Sequence, residues 1–193
     1  MKNNVKWFLP LVAVFLLSAC ASNVTPFQYY TLKPAVEGRV SHGTTTSIGV
    51  VPVEIPGWMD RANLVVNDGG YELVRYDIQR WGEPLQDAIT RILTQNLTTL
   101  FPQSDVQSGP WLRSQAPDRA VQVTINNLAW FDSRLELDVR VTLLKDQERA
   151  QSYSIKLTRN LPKDSSPEQL VEGFSYLLAD LTQRVQKDIV AQQ

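Results

Sequence analysis

The sequence has little of what metal sites, disulfides and nucleic-acid binding need. Its 193 residues include one cysteine, Cys20, and one histidine, His42. A single cysteine excludes an intramolecular disulfide, and a structural zinc site would need several cysteine and histidine ligands. His42 falls in a polar loop predicted for residues 38–47. The net charge is −1, so the basic excess typical of nucleic-acid binding is missing.

The common signatures of catalysis are missing as well. The sequence contains neither the glycine-rich G-x-x-x-x-G-K-[ST] loop that binds nucleotide phosphates nor the G-x-S-x-G elbow of serine hydrolases. Glu136 and Asp138 could pair as carboxylates, but their spacing on a predicted strand places both on a solvated face. We therefore predict that the protein is not an enzyme and that it binds no metal or dissociable cofactor.

The N-terminal segment has the features of a secretory leader. Lys2 and Lys6 precede thirteen uncharged residues, 7–19, which are mostly apolar. This run is too short for a comfortable transmembrane helix, which needs about 20 residues. A basic segment, a short apolar segment and a small residue together predict a signal peptide. Removal of residues 1–19 leaves 174 residues with a net charge of −3, enough for one domain with a sizeable core.

Residues 17–20, Leu-Ser-Ala-Cys, resemble the lipobox of bacterial lipoproteins. The alternative is an ordinary signal peptide that is cut near Ala19, followed by a chance cysteine. The lipobox implies that Cys20 carries covalent diacylglycerol and an N-acyl chain. Ala21 and Ser22 follow instead of aspartate, which implies transfer to the inner leaflet of a Gram-negative outer membrane. Residues 20–26 then form a lipidated tether, in which the six residues 21–26 span at most about 21 Å.

Residues 27–193 are predicted to form one α/β domain, with a mixed, largely antiparallel sheet packed against two long amphipathic helices. Apolar and β-branched patterns predict strands over 27–33 and 48–55, and a hairpin around 67–70. Three alternating strands follow within 121–157, with a bulge near 126–127. Helical spacing predicts one helix after Pro84 and another after Ser166, where a capping box with Gln169 begins it. A loop that contains Pro110 and Pro117 is predicted between the first helix and these three strands.

Two loops bring together residue types that are enriched at protein interfaces. Trp58 and Arg61 lie between predicted strands, and Arg80 and Trp81 lie just before the first helix. These four residues are the candidate partner surface. The alternative is structural: Trp81 packs on the start of the helix, Arg80 pairs with an acid, and Trp58 covers an edge of the core.

The order and spacing of these motifs resemble the PqiC-like family of ABC-type transport auxiliary lipoproteins. The family pattern combines a lipobox, a Tyr-x-Leu strand, a Pro-x-Tyr-Leu-Asp-Arg segment and a Trp-x-x-Pro-Leu helix start. Trp58 and Met59 stand here where the family usually has Tyr-Leu. The matching residues are Tyr30, Leu32, Pro56, Asp60, Arg61, Trp81, Pro84 and Leu85.

The resemblance implies a non-enzymatic lipoprotein that works with an inner-membrane transport complex. Its expected partner is a periplasm-spanning MCE-domain protein, which carries lipids between the membranes and supports envelope integrity. The lipoprotein would dock this partner at the outer membrane, and the ring shape of MCE assemblies implies a matching homo-oligomeric ring. Two alternatives stay open: a stand-alone lipid- or glycolipid-binding lipoprotein with an apolar pocket, and a periplasmic hydrolase.

Overall fold

The computed structural model describes residues 25–37 and 47–192. The predicted leader, Cys20 and the loop with His42 lie outside these residues. No helix in the described part of the chain is long and apolar enough to cross a membrane. The strands are β1 (Gln28–Tyr30), β2 (Ile48–Val50), β3 (Asn63–Asn67), β4 (Leu73–Trp81), β5 (Val106–Ser108), β6 (Arg119–Phe131), β7 (Arg134–Lys145) and β8 (Glu148–Asn160), and the helices are α1 (Leu85–Leu100) and α2 (Pro167–Ala191).

The long strand β6 organises the mixed sheet. Along one edge it pairs antiparallel with β7, which pairs antiparallel with β8. Along the other edge it pairs in parallel with β2 at Arg119 and with β3 at Ala129. One branch then continues from β2 to β5, and the other continues from β3 through β4 to β1. At roughly 3.3 Å per residue, the branches leave β6 about 33 Å apart.

The predicted α/β fold is confirmed, including its largely antiparallel pairing and both helices. The register of β6 against β7 shifts between Ile125 and Asn127, as the reversal of side-chain parity predicts. The hairpin around residues 67–70 is also confirmed, with β3 and β4 antiparallel. β2 ends at Val50, two residues before Pro52, and is shorter than the strand predicted over 48–55. The chain pairs with β6 again at the bridge between Glu54 and Thr124.

One prediction for the chain between α1 and β6 was wrong. Residues 106–108, which lie within the predicted loop, form β5 and pair in parallel with β2. This three-residue strand is too short to produce a periodic pattern. Pro84 is the N-cap residue of α1 and lies directly before its first turn.

The helices pack against each other and against one face of the sheet. Each buries the apolar stripe predicted from the sequence, which gives the fold one continuous core. The capping box of α2 is present, with Ser166 Oγ accepting from the backbone N–H of Gln169 at 3.3 Å. Between the helices, the amide of Asn96 donates to Thr182 Oγ1 at 3.4 Å, and both side chains are buried.

Candidate partner-binding surface

The end of β4 brings three of the four predicted surface residues close together in the backbone. The N–H of Trp81 donates to the carbonyl of Ala62 at 2.8 Å. Arg61 and Arg80 therefore each lie one residue from this hydrogen bond. On the other side of β4, the N–H of Gly82 donates to the carbonyl of Tyr30 at 2.8 Å. The start of α1 is thus held by both neighbouring strands.

The two tryptophans contribute mainly to the core. Trp81 is 6% exposed and belongs to the central hydrophobic cluster, so its ring offers little area to a partner. Trp58 is half-buried and packs against the same cluster, next to fully buried Met59. The rings of Trp81 and Trp58 therefore lie in and against the core, as the structural alternative to a partner surface predicts. Part of the Trp58 ring stays exposed.

Arg80 occupies an unusual position on the opposite face of the sheet. Its guanidinium carbon lies 3.4 Å from the centre of the Phe27 ring, a close cation–π arrangement. Its Nε atom is buried and has no hydrogen-bond partner among the described residues. Arg80 as a whole is half-buried, so only the accessible part of its stacked guanidinium can donate to a carboxylate or carbonyl group of another molecule.

The exposed side chains next to Arg80 extend this surface. Phe27 is 45% exposed and Tyr29 is 65% exposed, and Tyr29 pairs directly with Arg80 across β1 and β4. Arg61 is exposed in the loop that precedes β3. We call Phe27, Tyr29, Arg61 and Arg80 the β1–β4 surface. Phe27 and Tyr29 were missed in the sequence, although alternation along the predicted first strand already places them on one face.

A second polar cluster fixes the chain that follows β1 to α1. Arg91 forms an ion pair with Glu83 and donates to the carbonyl of Leu32 at 3.4 Å. Thr31 Oγ1 donates to Glu83 Oε1 at 3.0 Å. The hydrogen bond from Arg91 is the main cause that lowers the pKa of Glu83 from its usual value of 4.5. This cluster ties the residues that follow β1 to those before and within α1.

The lowered pKa of Glu83 gives a prediction about stability and pH. Because the ionised carboxylate is favoured in the folded state, its contribution is fully present above pH 4.5 and is lost as the pH falls through the lower folded pKa. Glu83→Gln should therefore unfold at lower urea than the wild type at pH 7, and the difference should shrink below pH 4.5. Urea unfolding at several pH values checks this, and an equal difference at every pH would contradict it.

A large groove lies between β1 and α2. It has a volume of about 970 Å³ and is lined by Lys33, Glu168 and Glu172 together with apolar side chains such as Val36 and Val171. Charged groups along a solvent-open groove are a poor lining for an acyl chain. Among the described residues, no group of three or more His, Cys, Asp and Glu side chains could hold a metal ion.

Comparison with known families identifies the protein class. Residues 30–186 match the family described as the ABC-type transport auxiliary lipoprotein component. The chain belongs to this family. The family is not an enzyme family, and its description indicates a lipid-anchored component of the cell envelope that assists an ABC-type transporter. No curated protein matches the sequence.

Solved structures share the fold of this chain. An uncharacterised protein of known crystal structure superposes with a TM-score of 0.69 at 16% identity, covering 86% of this chain and 99% of that chain. The protein XCC0632 from Xanthomonas campestris superposes with a TM-score of 0.65 at 12% identity, covering 86% of this chain and all of its own length. At these identities the likeness shows a shared fold.

The residues that carry the family resemblance divide into two groups. Leu32, Trp81 and Leu85 are buried and hold β1, β4 and α1 together. Asp60 and Arg61 are exposed in the loop before β3. Much of the family pattern therefore consists of residues that stabilise the fold. Its exposed residues, Asp60 and Arg61, lie within or next to the β1–β4 surface.

Proposed function

We propose that this protein is an outer-membrane lipoprotein that docks a periplasm-spanning MCE-domain protein of an ABC-type transport system. In this role it joins the outer membrane to a lipid transport route that begins at the inner membrane, and it supports envelope integrity. The observation that carries the proposal is the family match over residues 30–186, which begins ten residues after the lipobox cysteine, Cys20.

The short distance between Cys20 and the domain supports a position at the membrane. Six residues, 21–26, separate Cys20 from Phe27 and span at most about 21 Å. Acyl chains on Cys20 would anchor the protein firmly, since each buried methylene contributes about 0.8 kcal/mol. Ala21 and Ser22 after the cysteine favour the inner leaflet of the outer membrane.

The β1–β4 surface has the chemistry of a protein-docking site. It combines two exposed aromatic rings with the stacked guanidinium of Arg80 and the exposed side chain of Arg61. Aromatic residues and arginine dominate the binding energy of most interfaces. MCE assemblies in the resembled family are ring-shaped, so a matching ring of this lipoprotein is the arrangement that symmetry favours.

A crosslinking pull-down from the native envelope tests the proposed partner. The acylated protein, with an affinity tag at its C-terminus, is crosslinked in intact cells and then purified from the outer-membrane fraction. Recovery of an MCE-domain protein is the expected result. Repeated recovery of unrelated proteins, with no MCE-domain protein among them, would reject the proposed docking role.

A charge reversal tests whether the β1–β4 surface makes the contact. Arg61→Glu should reduce recovery of the MCE-domain partner about tenfold, equivalent to about 1.4 kcal/mol, because it repels the acceptor groups that arginine would attract. Arg113→Glu is the matched control, since Arg113 is exposed in the short helical turn beyond β5. Equal recovery with both variants would place the contact elsewhere on the protein.

The stand-alone lipid-binding alternative makes a different prediction. It requires lipid to be retained by the isolated protein when no partner is present. Mass spectrometry of the purified Cys20→Ala variant, which has no covalent lipid of its own, distinguishes the two functions. Stoichiometric bound phospholipid or glycolipid would favour the alternative, whereas a lipid-free protein would favour the docking role.

A further inference from the structure

Exposed apolar side chains are concentrated at the tip of the β3–β4 hairpin. Tyr71 is fully exposed, Leu73 is 46% exposed and Val74 is 43% exposed. Leu73 and Val74 are consecutive residues of a strand, so their side chains point to opposite faces. The tip therefore has an aromatic apex and two apolar sides, an arrangement that indicates contact with an apolar environment.

Hydrogen bonds within the turn fix the conformation of the tip. The side-chain amide of Asn67 donates to the carbonyls of Gly70 and Glu72, both at 3.1 Å. The N–H of Gly69 donates back to Asn67 Oδ1 at 2.8 Å. Gly69 has a φ of +89°, and a β carbon there would lie 2.6 Å from the Phe131 ring at the end of β6. Only glycine fits this position, and the turn is consequently seated against the sheet.

The polar groups of the turn are largely satisfied within the turn itself. Asp68 Oδ1 accepts from the N–H groups of Gly70 and Glu72, at 2.8 and 3.2 Å. The N–H of Asp68 donates to the carbonyl of Glu72 at 3.1 Å. A turn whose backbone groups are already paired can enter the interfacial region of a bilayer without leaving these donors unsatisfied.

The direction of β1 points the chain that precedes it toward the same end of the molecule as the tip. β1 runs parallel to β4, with Gln28 beside Gln79. The described residues before Gln28, 25–27, therefore lie on the side of β1 that faces Leu73 and the hairpin tip. The eight residues from Gln28 back to Cys20 span at most about 28 Å, and the six residues from Gln79 to Leu73 span about 20 Å. An anchored Cys20 can thus hold the tip at the membrane surface.

We infer that the tip of the β3–β4 hairpin enters the phospholipid surface that holds the anchor. The Tyr71 ring would lie at the headgroup level, where tyrosine is favoured, and Leu73 and Val74 would contact the upper acyl chains. The inference rests on the proposed function, because it requires acylated Cys20. It adds a second membrane contact, which would fix the orientation of the domain and present the β1–β4 surface at a defined angle.

The charges around the tip indicate that this contact is driven by apolar burial. Asp68, Glu72 and Asp132 lie here together with Arg134, whose guanidinium is 4.9 Å from the centre of the Phe131 ring. These three acids and one base leave the tip with a net negative charge, which gives no attraction to anionic lipids. Salt screens the remaining repulsion, so insertion of the tip should not weaken as the salt concentration rises.

The experiment uses the full acylated protein reconstituted into vesicles of phosphatidylethanolamine and phosphatidylglycerol. Because Cys20 is the only cysteine and its sulfur carries lipid, Tyr71→Cys provides a unique thiol for an environment-sensitive nitrobenzoxadiazole dye. Leu112→Cys is the matched control: Leu112 is 68% exposed and lies beyond β5, on the sheet branch at the other end of β6. Mass spectrometry of the same samples verifies the acyl chains.

We expect the emission at position 71 to shift to shorter wavelength on reconstitution and to be quenched by brominated lipids, at low and high salt alike. The dye at position 112 should show neither change. The shift at position 71 should be lost when Leu73→Ser and Val74→Ser are added. A dye at position 71 that stays in water, or one that is shielded from both water-soluble and lipid quenchers, as in a protein contact, would overturn the inference. If Cys20 carries no acyl chain, the proposed anchor is wrong and the inference falls with it.

Discussion

Cys20→Ala should move the protein from the outer-membrane fraction to the soluble periplasmic fraction. Without the cysteine sulfur no diacylglycerol can be attached, and the hairpin tip alone buries too little apolar surface to hold the protein on a membrane. We expect nearly all of the protein to change fraction, and we expect the transport system to lose activity because its docking component is no longer fixed. Fractionation by sucrose gradient, followed by immunoblotting, measures this directly.

A matched variant distinguishes loss of the lipid from loss of the fold. Ser22→Ala changes a residue of the same tether and leaves the lipobox intact, so it should stay with the outer membrane. The Cys20→Ala domain should unfold at the same urea concentration as the delipidated wild type, because the described hydrophobic core begins only at Leu32. Full functional complementation by Cys20→Ala would show that the anchor is dispensable and would contradict the docking mechanism.

Trp81→Ala should destabilise the domain by about 3–5 kcal/mol, the range typical of truncating a large buried aromatic residue. Trp81 is 6% exposed, and its neighbours are Tyr30 on β1 and the start of α1. Its removal leaves a cavity where β1, β4 and the helix meet. A change of this size corresponds to a decrease in Tm of roughly 10 °C for a domain of this length.

Thermal and urea unfolding of Trp81→Ala in the Cys20→Ala background tests this role. Tyr71→Ala is the control, because it also removes an aromatic ring but from a fully exposed position. Tyr71→Ala should change stability by less than about 0.5 kcal/mol. Near-normal stability of Trp81→Ala, combined with loss of partner recovery, would show that Trp81 contacts the partner and contributes little to the core.

The sequence predicts the fold well because its strongest patterns are those that burial controls. The apolar stripes of the two helices, which include Leu93 on α1 and Leu177 and Leu181 on α2, are buried as their spacing predicts. Ser166 begins α2 with the expected capping box. The β6 bulge follows from a parity change that no regular strand can accommodate. β5 escaped detection because three residues carry no period, and its pairing with β2 depends on distant parts of the chain.

The candidate surface was harder to predict than the fold. Arginine and tryptophan mark both interfaces and cores, and only the structure shows that Trp81 faces the core while Arg80 stacks on Phe27. The position of the hairpin tip relative to the anchor depends on β1 running parallel to β4. Local sequence does not specify strand direction, so no pattern around Tyr71 could reveal this relation.

Site-specific photocrosslinking in intact cells tests the central claim most directly. A photoreactive amino acid is introduced at Arg61, on the β1–β4 surface, and separately at Leu112, beyond β5 at the opposite end of β6. If the protein docks an MCE-domain partner through the β1–β4 surface, position 61 should give a crosslinked product that contains this partner, and position 112 should give none. Crosslinking to the partner from neither position, with both variants correctly anchored at the outer membrane, would contradict the account.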